Sequence, residues 1–160
     1  MIGKLLNRAV IAFTLIFLLI VSLIVPLSKD TINAQSISSI WAGTFTEAQA
    51  TRGETDYSAN CASCHAADLR GNSNTPSLLG MSFMFIWEGR SLGELFIKIR
   101  NDMPTDRPGL LSNQSYADIV AFILRTNQFP AGENELVTDT GVLGEIIISA
   151  KPASNQETSD

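Results

Sequence analysis

Asn60-Cys61-Ala62-Ser63-Cys64-His65-Ala66 decides how the chain is read, because the stretch from Cys61 to His65 holds both cysteines and the only histidine of 160 residues. Three rare groups with metal and thiol chemistry, gathered at one place, point to a chemical cause. The N-terminus sets the compartment in which they work. Met1 to Arg8 is basic through Lys4 and Arg8, the 20 residues from Ala9 to Ser28 carry no charge, and the chain beyond turns polar. This order reads as an export signal. A positive flank ahead of the apolar run leaves the N-terminus in the cytoplasm and sends everything after Ser28 across the membrane. Two fates are open for residues 1–34. About 19 apolar residues at roughly 1.5 Å rise nearly span a hydrocarbon core, so residues 9–27 suit a retained inner-membrane anchor. Alternatively a peptidase cleaves after Ala34, where Ile32 in place of a second small residue weakens the match. Either way the expected location is periplasmic, that is, extracytoplasmic.

An exported cysteine pair could be a disulfide, a redox dithiol, part of a metal site or a covalent anchor. A disulfide across two residues closes too small a loop to constrain the unfolded chain much. A thioredoxin-like dithiol needs a βαβ context, and the flanks of Cys61 show no alternating strand pattern. A structural zinc needs four ligands, of which Cys and His here supply three, leaving carboxylates to complete the set. One reading uses all three residues. Two thiols one helical turn apart each bond a vinyl-derived carbon of a haem edge, while the adjacent imidazole reaches the iron; this is the c-type haem attachment pattern. His65 is then the proximal ligand and Cys61 and Cys64 the covalent anchors of one haem c. With no second histidine, a thioether is the natural sixth ligand. Met81 and Met84 lie in an apolar aromatic run, GMSFMFIW, where methionine usually fills a core. Met103 opens MPTDRPG, in which Pro104, Pro108 and Gly109 stiffen the backbone behind the sulfur, so Met103 is the expected axial partner of His65.

Charge narrows the function classes. Three of the 11 basic residues (Lys4, Arg8, Lys29) and one of the 16 acids (Asp30) precede Gln35, which leaves eight against fifteen, a net −7. That is too acidic for a nucleic-acid groove, and the length is too short for two ordinary domains. Thr46 with Gln49 matches a capping box ahead of a helix from Glu47 to Asn60. Gly53 inside it costs about 1 kcal/mol against Ala, which implies that another helix crosses closely, with Tyr57 packed beside it. Ser91 with Glu94 caps a second helix whose Leu92, Leu95, Phe96 and Ile99 share one face. A third starts at Ser115 and Asp118, with Tyr116, Ile119, Val120 and Ile123 on its apolar side, and runs to Thr126. Residues 66–89 mix Gly71, Pro76, Gly80 and Gly89 with Leu78, Leu79, Phe83, Phe85 and Trp87, and read as chain draped around a flat ligand. The expected organisation is a signal or anchor over 1–34, an all-α domain over 35–136, and an extension over 137–160. Within that extension Val142 to Ile148 packs back as a final element and Lys151 to Asp160 is a disordered polar tail.

The runs RGETDYSANCASCHAADLRG, TPSLLG, FMFIWEGRSLGELF, NDMPTDRPGLLS and SYADIVAFILRTNQFPAG resemble the class I single-haem cytochromes c. They look closest to bacterial cytochromes associated with PQQ-dependent alcohol dehydrogenases, over about Trp41 to Leu136. The resemblance implies a small cytochrome c fold in which N- and C-terminal helices cross around the covalently bound haem, with Gly53 and Tyr57 meeting the last helix near Phe122. It implies that the Pro76 carbonyl receives the proximal imidazole N–H, that Trp87 is a haem-pocket residue reaching a propionate, and that Met103 is the axial methionine. It also implies an electron carrier rather than an enzyme, moving one electron at a time from a quinoprotein (PQQ) dehydrogenase toward a terminal respiratory acceptor. The acidic surface calls for partners with positive charge around their docking sites. The membrane is met only through the N-terminal segment. If Met103 does not ligate, a five-coordinate haem protein with peroxidatic or gas-binding activity is the rival, and an obligate dehydrogenase subunit is a third possibility.

Overall fold

The computed structural model describes residues 39–153. The expected export segment and most of the polar tail lie outside the described residues. After a 3₁₀ turn at Ile40–Ala42, six α-helices follow in order: α1 Glu47–Asn60, α2 Ala62–His65, α3 Gly80–Trp87, α4 Leu92–Asp102, α5 Asn113–Thr126 and α6 Thr140–Gly144. Among the described residues there are no strands, only isolated bridges, so the architecture is all-α as expected of a cytochrome c fold. No described helix is long and apolar enough to cross a membrane.

The crossing of α1 and α5 is the frame. A Cβ on Gly53 would sit 1.7 Å from the Asp118 carbonyl oxygen, so only glycine lets the two backbones meet there. One turn on, the Tyr57 and Phe122 rings stack at 5.2 Å between centroids. Charged pairs flank the contact. Arg52 forks onto the buried Asp118 through Nε at 2.8 Å and Nη2 at 3.1 Å, and Gln114 also donates to that carboxylate. Arg125 reaches Glu54 at 2.6 Å on the other side. A buried carboxylate satisfied by three donors costs little to bury, and the fork fixes the register of the two helices.

Three local expectations are corrected. The capping box at Thr46 is half a box: the Thr46 hydroxyl accepts from Gln49 N–H, but the Gln49 side chain is buried. Its amide instead pairs with both backbone groups of Leu136, at 3.0 and 2.6 Å. A buried amide must satisfy donor and acceptor together, and Leu136 offers both. Helix α5 begins at Asn113 rather than Ser115, because the Ser112 hydroxyl caps the Ser115 N–H. Asp118 thereby falls in the helix body, where it serves Arg52. The stretch 66–89 is not all draped loop, since Gly80–Trp87 is helical. An almost wholly apolar sequence hides helical periodicity, and the Asn127 side chain, accepting from Gly80 N–H, helps start the turn. The Ser91–Glu94 box is present with both reciprocal bonds.

The core continues past Leu136. Leu143, Ile146 and Ile148 are buried with Leu92, Leu95 and Phe96. The returning chain pairs with the α3–α4 connection, through Gly89 N–H to Ile148 O, Ile148 N–H to Arg90 O and Leu92 N–H to Ile146 O, each at 2.8 Å. The Trp41 indole donates to the carbonyls of Ser149 and Ala150, so the start and end of the domain are joined.

Candidate functional site

Helix α1 delivers Cys61. Its N–H still donates to Tyr57 O, and its carbonyl accepts from Cys64 and His65, so the single turn of α2 sets Cys61 and Cys64 one turn apart with His65 following at once. Both thiols are unpaired, Cys61 half-buried and Cys64 exposed. Burial pushes the Cys61 thiol up to about 11, with smaller contributions from Asp56 and Cys64. Beyond His65 the chain reverses through Ala66, at φ +64°, and the buried Tyr57 hydroxyl donates to the Ala66 carbonyl at 2.8 Å.

The loop then folds under the histidine. Gly71 N–H donates to His65 O at 2.9 Å. Gly71 has φ +68° and a Cβ there would lie 2.2 Å from Thr75 O, so the turn needs glycine. Asn72 donates to Cys64 O at 3.0 Å, and Leu78 N–H closes the loop on Leu69 O at 2.8 Å. This brings the Pro76 carbonyl oxygen to 3.1 Å from His65 Nδ1. A carbonyl only accepts, so the imidazole proton sits on Nδ1 and the Nε2 lone pair is left free, with no partner among the described residues.

That donor set fits haem c. Two unpaired thiols at one-turn spacing beside an imidazole with a free Nε2 lone pair are the groups that thioether attachment and axial ligation require. For zinc the fit is poor, since the described residues hold no group of three or more His, Cys, Asp or Glu placed to share a metal ion.

The remaining expected residues lie on other elements. Met103 is the first residue past α4, half-buried, with its N–H donating to Ile99 O. Met81, expected as a core filler, is 88% exposed and its α3 neighbour Phe85 is exposed too, while Met84 packs partly against the core. Trp87 is buried, and the Arg90 guanidinium lies 4.6 Å over its ring. Glu94 holds Arg90, and the Ser91 N–H keeps its carboxyl below the usual range, with Arg90 assisting.

Four supporting groups were not singled out from sequence for what they do here: the Tyr57 hydroxyl, Gly71, Asn72 and Tyr116. A tyrosine on a wholly apolar helix face is a usable signal, because its hydroxyl must find a partner when the ring is buried. The turn-rich run Gly71 to Pro76 is another.

A family model described as Cytochrome C oxidase, cbb3-type, subunit III matches residues 48–123. That match, over just under half of the chain, supports reading these residues as a c-type cytochrome domain. Comparison with curated proteins and with solved structures gives no match. The cytochrome domain carries a covalently bound haem c, for which Cys61 and Cys64 have the required spacing, and it is an electron-transfer module that works with redox partner proteins. The match reaches the single-haem cytochrome class and does not extend to the narrower likeness to cytochromes of PQQ-dependent alcohol dehydrogenases.

Proposed function

We propose that this cytochrome is an extracytoplasmic one-electron carrier. Cys61 and Cys64 would hold the haem through thioether links, and His65 and Met103 would serve as its iron ligands. The observation that carries the reading is the His65–Pro76 contact, which orients the imidazole and leaves Nε2 as a ligand beside two free thiols. Bound haem c supplies a one-electron ferric/ferrous couple. The chain's part would be to supply both iron ligands, His65 and Met103, leaving no open position for substrate, with the thioether sulfur raising the potential. Trp87 and Arg90, the latter paired with Glu94, form a donor-bearing edge suited to a propionate. The proposed electron source is a PQQ dehydrogenase and the acceptor a terminal respiratory acceptor; the acidic surface favours partners with basic docking sites, with association slowing as salt rises. Residues 1–34 direct export.

Carbon monoxide tests this. The reduced holoprotein should not bind it readily, while Met103→Ala should bind it and show a lowered potential. Ready binding by the unaltered protein would overturn the carrier in favour of a five-coordinate, gas-binding haem protein.

A further inference from the structure

The geometry points to Tyr116 as the positioning residue that latches the methionine side of the haem site, an inference that rests on Met103 being the axial ligand. Tyr116 stands in the first turns of α5, and its ring is buried. Its hydroxyl donates to the Met103 carbonyl at 2.9 Å and accepts from the Leu111 N–H at 3.4 Å. One oxygen therefore joins the two ends of the loop 104–111.

Nothing comparable holds the loop between those ends. Thr105 to Leu110 are all exposed. The backbone bonds within it, Arg107 N–H to Pro104 O and Leu110 N–H to Arg107 O, are local turns. The ion pair Arg107–Asp106 joins neighbours in the chain. Met103 itself is gripped at its N–H by Ile99 O at the end of α4. With the carbonyl also held, both peptide groups flanking its Cα are fixed and the thioether swings from a set base. Without the hydroxyl, the carbonyl side is released into a loop whose exposed span, Thr105 to Leu110, has only local turn bonds, the next hold being Leu111 against the core. Phenylalanine at 116 keeps the packed ring and removes only this bridge.

The test uses the full-length ferric holoprotein, exogenous imidazole as a competitor for the sixth position, and amide hydrogen exchange. Tyr116→Phe should bind imidazole about two- to tenfold more tightly, the factor that one neutral hydrogen bond can supply, with a lower potential and an unchanged helical signal. In the unaltered protein the Leu111 amide should exchange more slowly than those of Thr105, Asp106 and Gly109. Equal exchange at these amides, or unchanged imidazole affinity in Tyr116→Phe, would overturn the latch. Met103→Ala separates the two levels. If it binds imidazole no better than the unaltered protein, the ligand assignment fails and the latch with it. If it binds far better while Tyr116→Phe does not, the latch alone fails.

Discussion

The two flanks of the haem site are built on opposite principles. On the histidine side, residues 57–78 tie the segment 61–66 down repeatedly, with Tyr57 on Ala66, Gly71 on His65, Asn72 on Cys64 and Pro76 on the imidazole. On the methionine side, Thr105 to Leu110 are exposed, and the side-chain hydrogen bond that ties the Met103 carbonyl to α5 is a single hydroxyl. Redundancy on one flank and a single latch on the other mean that equal chemical damage has unequal results. Loss of one bond from the first leaves the ligand in place. Loss of the bond on the second should, under the proposed ligation, change how firmly the Met103 sulfur is presented.

Gly71→Ala would break that contrast most directly, since a Cβ would press on Thr75 O and on the Pro76 carbonyl that orients His65, at a φ that L side chains rarely adopt. Strain and crowding together should lower stability by about 2–4 kcal/mol, read from denaturant unfolding of the holoprotein. Tyr57→Phe is smaller. It removes one of the four ties and should cost about 1 kcal/mol, while imidazole affinity stays that of the unaltered protein; a rise like that expected of Tyr116→Phe would show that the histidine flank is not redundant. The smallest effect concerns Glu94, an exposed partner of Arg90. Its carboxyl titrates below the usual range because the Ser91 N–H and Arg90 favour the charged form. Its contribution is therefore complete above the ordinary carboxylate range and is lost as pH falls through the lowered value. Thermal melts of Glu94→Gln should lie slightly below the unaltered protein near neutrality and converge with it in acid.

The same contrast explains what could be read in advance. Short-range chemistry was legible: CASCH, the Ser91–Glu94 box, the helix Glu47–Asn60 and the close crossing that Gly53 demands all declare themselves within a few residues. What escaped depends on partners far along the chain. Gln49 is matched by Leu136, and Asn127 by the α3 start, distances over which no local pattern speaks. The start of α5 was misplaced because Ser112 and Ser115 are equally good caps by type, and only tertiary packing, which puts Asp118 against Arg52, chooses between them. The role of Pro76 came from family likeness, since nothing in its local sequence marks a carbonyl as special.

The pairing of Ser39 and Trp41 with Ile147 to Ala150 has a mechanical corollary. The domain's entrance and exit share one doorway, so chain attached at either end hangs the cytochrome from the same pivot. Such a module should accept a circular permutation that joins the two ends and opens the exposed loop at Asp106, because the cut would break only local turn contacts there.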